Sequence, residues 1–149
     1  MKVLMLCLGN ICRSPMAQGI LEEKLKNTEH SVRVDSAGTD DYHKGEQPDR
    51  RAQSQMLSKG IDISDQRSRP LQVSDFDHFD MILCMSEDNL KNASKIARDQ
   101  KDRDKMKLIL NYHPDTHLSS VPDPYFNDRF GEVYDLLDVA IDNFLAEHV

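Results

Sequence analysis

The feature that most constrains the fold lies in the first twenty residues, where an uninterrupted apolar run, KVLMLC (2–7), passes through LGNIC (8–12) into RSPMAQ (13–18). A continuous apolar run of this length, bounded by Gly9, suits an interior parallel strand covered on both faces. From Ser14 the pattern changes. Pro15 suits a first helical turn, and Met16, Ala17, Ile20, Leu21 and Leu25 recur at helical spacing. The chain therefore opens as strand, tight loop, helix.

The alternation continues. SVRVDSAG (31–38) reads as a second strand, and GEQPDRRAQSQMLSKG (45–60) as a helix stopped by Gly60. FDMILCM (79–85) is another apolar strand, after which Ser86 can cap a helix through about Arg98. KLIL (107–110) is expected as a fourth strand, and Val133, Leu136, Leu137, Ala140, Ile141, Phe144 and Leu145 mark a closing helix. Four strands alternating with helices predict an α/β domain built on a parallel sheet. Residues 64–75 are polar and irregular, and the mixed-sign run RDQKDRDKMK (98–107) reads as a solvated helix end. NYHPDTHLSSVPDPYF (111–126) carries three prolines and no periodicity, so it is expected as a long loop, a kind often functional.

The 149 residues, with no repeat, low-complexity tract or linker, suit a single domain. A net charge of −7 and a pI near 5.3 leave no basic face for nucleic acid. One arginine and a ring of backbone N–H groups can still form a local phosphate site. Three cysteines and no signal-like leader give no disulfide framework, and the cytoplasm is the expected compartment. No stretch approaches the roughly 18 apolar residues of a membrane span, so no membrane insertion is expected.

The chemistry concentrates in the opening loop. Five residues separate Cys7 from Arg13, and Ser14 follows, giving C-x5-R-S. A loop of this length leading into a helix can turn Leu8, Gly9, Asn10, Ile11, Cys12 and Ser14 around one spot. There the N–H groups and the helix N-terminus favour a dianionic phosphate. Arg13 can offer a bidentate fork to two equatorial oxygens. A thiol in the same field ionises more readily, and the thiolate is the nucleophile. The Ser14 hydroxyl can donate to the sulfur, while Gly9 permits close approach and Asn10 tolerates a left-handed backbone. By itself, a cysteine ending a buried strand is a small hydrophobe; the strand, helix, arginine and serine around Cys7 point instead to an activated nucleophile. No G-x4-G-K-[ST] is present, so the loop is not a nucleotide-binding Walker loop.

CLGNICRS resembles the signature of the low-molecular-weight protein tyrosine phosphatases, and VPDPYF (121–126) resembles that family's second motif, D-P-Y. The likeness extends through DSAGT (35–39), RRA (50–52), KGI (59–61), SRPL (68–71) and FDMILCM, nearly the whole chain. It implies a three-layer α/β sandwich over residues 1–149, with a central four-stranded parallel sheet in the order 2-1-3-4 and helices on both faces. It also implies a monomer acting on phosphotyrosine-containing proteins without metal or cofactor. Cys7 would be the nucleophile, Arg13 the phosphate ligand and Asp123 the general acid. One carboxylic acid can protonate the leaving oxygen and later activate water against the phosphocysteine. Tyr42 and Tyr125 would wall an aryl slot, and Asn10 and Ser36 would brace the loop. A histidine often found in that bracing network is replaced by Gln66, and Phe126 stands where a second tyrosine is frequent.

Several alternatives share parts of this pattern. An arsenate reductase of the same fold needs a relay of two further cysteines close together, and beyond the loop only Cys84 remains. A protein arginine phosphatase is similar throughout but carries threonine after G-N, where this chain has Ile11, which better suits an aromatic ring. A binding module without activity needs neither nucleophile nor acid. His113, Asp115 and His117 could be taken for metal ligands, but Pro114 and the loop setting give no fixed coordination face, and no metal is expected. Cys12 lies in the same loop as Cys7. A reversible disulfide shielding Cys7 from over-oxidation requires Cα atoms within about 7 Å. Mild peroxide followed by mass spectrometry checks it: sulfinic acid on Cys7 with no linked peptide rules it out.

Overall fold

In chain order, the computed structural model, which describes residues 1–149, runs β1 (Lys2–Cys7), α1 (Arg13–Leu25), β2 (Arg33–Gly38), α2 (Arg50–Leu57), α3 (Asp75–His78) and β3 (Met81–Cys84). It continues through α4 (Glu87–Ser94), α5 (Gln100–Asp104), β4 (Met106–Leu108), α6 (Pro124–Asn127) and α7 (Phe130–His148). All strand pairings are parallel, in the order β2-β1-β3-β4, as the resemblance implied.

The apolar run at the start is explained by what covers it. Val3, Met5 and Cys7 join a cluster with Met16, Ile20, Met56, Val133 and Leu137 from α1, α2 and α7. Leu4 and Leu6 point the other way, into a cluster with Phe76 and Ala93 from α3 and α4. Both faces of β1 are buried, so no polar alternation is possible. Each fully buried large side chain of this kind contributes about 1.5–3 kcal/mol relative to an exposed one.

Several boundaries differ from expectation. The helix expected over 45–60 begins only at Arg50, because Asp49 caps it by accepting from the Arg51 N–H at 2.8 Å and Pro48 precedes the cap. Ser86 caps α4 through the Asn89 N–H at 3.1 Å, but α4 ends at Ser94 rather than near Arg98. There the Arg98 N–H turns aside to the Asp102 carboxylate. The run 98–107 is more than a solvated helix end. Asp99 caps α5, Asp102 is 3% exposed and Met106 starts β4. In KLIL, pairing stops at Leu108, and residues Ile109–Tyr112 form a 3-10 turn that buries Ile109 and Leu110 against the α7 side of the core.

The loop after that turn runs toward the carboxyl end of the sheet. His113 Nδ1 accepts N–H bonds from Asp115 and Thr116, and the Val121 N–H donates to the Met85 carbonyl at 2.7 Å, just beyond β3. That bond delivers residues 121–125 to the edge of the β1–α1 loop. The loop itself lies where strand order reverses between β1 and β3, the usual ligand crevice of an open parallel sheet. No helix is long and apolar enough to cross a membrane.

Candidate active site

The loop from Cys7 to Arg13 is shaped by its own sequence. Asn10 adopts the left-handed conformation (φ 57°), which turns its N–H back onto Cys7 Sγ at 3.3 Å. Its side chain is buried and fully engaged. Nδ2 donates to Ser14 Oγ at 2.8 Å and to Ser36 Oγ at 2.9 Å, while Oδ1 accepts from the Arg69 N–H at 3.0 Å. Because Ser14 Oγ already accepts from Asn10, its own proton is free to point at Cys7 Sγ, 3.0 Å away. The sulfur thus faces two donors.

Neighbouring strands complete the turn. The Thr39 and Asp40 N–H groups donate to the carbonyls of Cys7 and Leu8, and Ser68 Oγ donates to the Gly9 carbonyl at 2.9 Å. Gly38, paired with Cys7 in the sheet, leaves room for this approach: a Cβ there would lie 2.7 Å from the Leu8 carbonyl oxygen. Gly9 has a similar reason, since its missing Cβ would meet the His43 ring at 3.0 Å.

The backbone N–H groups of residues 8, 9, 11, 12 and 13 donate to no protein acceptor. Their residues line one cavity of about 340 Å³, together with Cys7. Arg13 is 6% exposed; its guanidinium donates to the Val121 carbonyl at 3.1 Å and pairs with Asp123 Oδ2 at 3.3 Å. Asp123 caps α6 through the Tyr125 N–H at 3.1 Å, with Pro124 in the first turn. A thiol, a guanidinium, a carboxyl group and free N–H donors therefore converge, although Asp123 is 110 residues from Arg13 in the chain. Such a site can hold a tetrahedral oxyanion against sulfur and exchange a proton beside it.

A family model described as low molecular weight phosphotyrosine protein phosphatase matches residues 2–149. The chain belongs to that family. YfkJ of Bacillus subtilis, named a low molecular weight protein-tyrosine-phosphatase, is 36% identical over 146 residues, spanning 97% of this chain and 93% of the relative. Its crystal structure superposes with a TM-score of 0.93, covering 99% of this chain and 93% of that one. The human low molecular weight phosphotyrosine protein phosphatase is 41% identical over 137 residues, 89% of this chain and 85% of its own. A Drosophila arginine phosphatase superposes at a TM-score of 0.92 with 30% identity, over 99% of this chain and 98% of that one.

Within this family's fold, the other expected residues fall as follows. Ser36 meets Asn10 directly. Gln66 stands outside that network: its amide donates to the Pro15 carbonyl at 3.1 Å in the first turn of α1. The physical reason is that both Asn10 N–H donors and its carbonyl are already engaged, by Ser14, Ser36 and Arg69. Tyr42 and Tyr125 both line the cavity, Tyr42 83% exposed and Tyr125 44%. Between them sits His43, edge-on to Tyr42 at 4.8 Å and 6.3 Å from Tyr125, its Nδ1 held by Glu46 at 2.9 Å. His43 lines the same cavity and was not among the expected residues. A histidine in a polar loop gives no sign of this beforehand.

The three thiols are free and differ in surroundings. Burial raises the Cys12 thiol well above the ordinary range, with the nearby charges of Asp49, Cys7 and Asp123 adding to the effect. A thiol that stays protonated is a poor nucleophile, so Cys12 does not compete with Cys7. Cys84, fully buried in β3, is pushed up to about 12 by burial. Arg51 and Arg69, which sequence reasoning noted only within RRA and SRPL, also prove structural partners of the site: Arg69 through Asn10, Arg51 through the turn that carries Tyr125. Their signal was a matching stretch of the resemblance, which names no partner.

Proposed function

We propose that the protein hydrolyses aryl phosphate monoesters, phosphotyrosine in proteins above all, through a phosphocysteine intermediate. The convergence of Cys7, Arg13, Asp123 and the free N–H groups of the loop in one cavity carries this reading. In the first step Cys7 Sγ attacks phosphorus, forming the S–P bond as the P–O bond to the aryl group breaks. Asp123 gives its proton to the departing oxygen. The loop N–H groups and Arg13 donate to the equatorial oxygens and stabilise their charge, more strongly where water is excluded. In the second step Asp123, now a carboxylate, accepts a proton from water as its oxygen bonds to phosphorus. The S–P bond breaks, and the sulfur leaves as thiolate toward Ser14 Oγ and the Asn10 N–H. Names of the curated relatives favour phosphotyrosine as substrate. The cavity's volume of about 340 Å³ and its His43 and Tyr125 walls favour an aryl group over a short serine phosphate. A catalytic free thiol suits a reducing compartment, consistent with work in the cytoplasm.

The arginine phosphatase neighbour supports a second substrate class. Ile11, 9% exposed in the cavity wall, weighs against it by presenting a branched apolar surface to the phosphoryl-bearing group. An arsenate relay has no second thiol at the cavity beyond Cys12, since Cys84 is buried in the sheet. Turnover of phosphotyrosine, phosphoserine and phosphoarginine peptides, with arsenate reduction alongside, tests the reading on wild type and Cys7→Ser. Phosphotyrosine is expected to lead, without added metal and with activity surviving chelator. Full turnover by Cys7→Ser, or preference for phosphoarginine, overturns it.

A further inference from the structure

Asp123 stands on a turn with little to hold it. α6 is four residues long, its aromatic side chains Tyr125 and Phe126 are exposed, and the Asp123 carboxylate bonds only to Arg13 and to its own turn. Yet a general acid must hold its geometry to a fraction of an ångström for efficient proton transfer.

One side chain from α2 grips this turn. Arg51, in the first turn of α2, directs Nη1 and Nη2 to the Tyr125 carbonyl, both at 3.3 Å, and Nη1 to Asp128 Oδ1. Asp128 ends α6 in the left-handed conformation (φ 60°) and returns its N–H to the Pro124 carbonyl. The guanidinium lies 5.4 Å from the Tyr125 ring centroid and 4.9 Å from that of Phe130. On its other edge, Nε and Nη2 meet the two oxygens of Asp49 at 3.0 Å each. The Asp49 N–H donates to the Ile11 carbonyl at 2.9 Å, inside the phosphate loop. A continuous path therefore runs from the phosphate loop through Asp49 and Arg51 to the Tyr125 carbonyl and the Asp128 end of the turn that carries Asp123. Only a planar fork of five donors spans that set of acceptors; an ammonium cannot.

We propose that Arg51 is a positioning residue for the general acid, registering the Asp123 turn against the phosphate loop without touching the substrate. The inference rests on the reading of Asp123 as the acid. Beside the Asp49 link, the phosphate loop has anchors of its own. Cys7, Asn10 and Ser14 are held by one another and by Ser36, the Gly9 carbonyl by Ser68, and Arg13 by Val121. Loss of Arg51 should impair proton donation while leaving oxyanion binding in place.

The test is kcat/KM over a series of aryl phosphates of rising leaving-group basicity, from p-nitrophenyl phosphate to phenyl phosphate, on wild type, Arg51→Ala, Arg51→Lys and Asp128→Asn. Competitive inhibition by inorganic phosphate is read in parallel. For Arg51→Ala, a loss of about tenfold or more is expected with phenyl phosphate and no more than about twofold to threefold with p-nitrophenyl phosphate. The phosphate inhibition constant should stay within about twofold, since Arg51 contacts no loop N–H donor. Arg51→Lys should recover little of the loss, and Asp128→Asn should steepen the leaving-group dependence in the same direction. If Arg51→Ala does not fold, Asp128→Asn, whose asparagine tolerates the left-handed backbone, decides by itself. Uniform losses across the series, losses that track weakened phosphate binding, or unchanged kinetics overturn the positioning role. Failure of wild type to turn over any aryl phosphate sinks the underlying reading and this inference with it, a result distinct from active wild type with a flat series.

Discussion

The two halves of the site are held in different ways. The nucleophile half is a buried loop whose bonds are mostly local: Asn10 to Cys7, Asn10 to Ser14 and Ser14 to Cys7, with Ser36 and Arg69 closing the circuit. The acid half is a half-exposed turn whose positioning contacts come from far along the chain. Arg13 reaches it across 110 residues and Arg51 across 74. A local, buried network is rigid because every polar group in it would be costly to leave unpaired. A turn held from outside is adjustable, because each contact can be released while the backbone stays in water. Under the proposed reaction, the thiol is placed by its own loop, whereas the Asp123 carboxyl depends on partners far along the chain.

Breaking each half should give a different signature, and the largest effect belongs to the nucleophile. Cys7→Ser should abolish phosphate release, by several orders of magnitude, while still binding oxyanions, measured by inhibition or by quenching of a bound aryl phosphate. Asp123→Ala comes next. Its loss should be about 10²- to 10³-fold for phenyl phosphate and much smaller for p-nitrophenyl phosphate, whose phenolate leaves with little protonation. Equal losses across the series would count against the acid role. Ser14→Ala should cost about tenfold to 10²-fold in kcat by removing a donor aimed at the leaving thiolate. Phosphocysteine should then accumulate and be visible by mass spectrometry after acid quench.

Smaller effects sharpen the comparison from the scaffold side. Gly38→Ala drives a Cβ into the Leu8 carbonyl, which is backbone and cannot swing aside, so a cost of about 1–3 kcal/mol in stability is expected. Chemical denaturation measures it, and a neutral result would show the loop to be more pliant than its bonds imply. Farthest from the site, the Arg98 hydrogen bonds lead in holding the Asp102 carboxyl down to about 2, against an ordinary value of 3.8. A depressed carboxyl stabilises the folded state above its unfolded value, and that stability is lost as pH falls from 3.8 toward about 2. Asp102→Asn should flatten the fall of melting temperature across that window and leave neutral-pH turnover unchanged.

Legibility followed the same division. The β1–α1 loop could be read from eight consecutive residues, because C-x5-R-S places nucleophile, cation and helix N-terminus within one turn of chain. Ser36 and Tyr125 lay at motif positions and proved close to the site. Gln66 donates to Pro15 rather than to the Asn10 network, which is already saturated, and Tyr42 lines the cavity beside a histidine that packs over Gly9. Helix ends were misplaced where a cap or an ion pair overrode periodicity, as at Asp49 and Arg98.

By itself, the sequence determined the alternation of strands and helices, the buried character of β1 and the chemistry of the opening loop, since those follow from side-chain periodicity and from groups within one turn of each other. Tertiary structure decided how Asp123 and Tyr125, reached in the sequence only through resemblance, come to that loop, that His43 joins them, that Cys12 is buried near Asp49 and Asp123, and that Arg51 links the Asp123 turn to Asp49. Those depend on where α2 and the loop before α7 come to rest against the carboxyl end of the sheet. Such placements are settled by packing and long-range hydrogen bonds, which no local pattern of residues records.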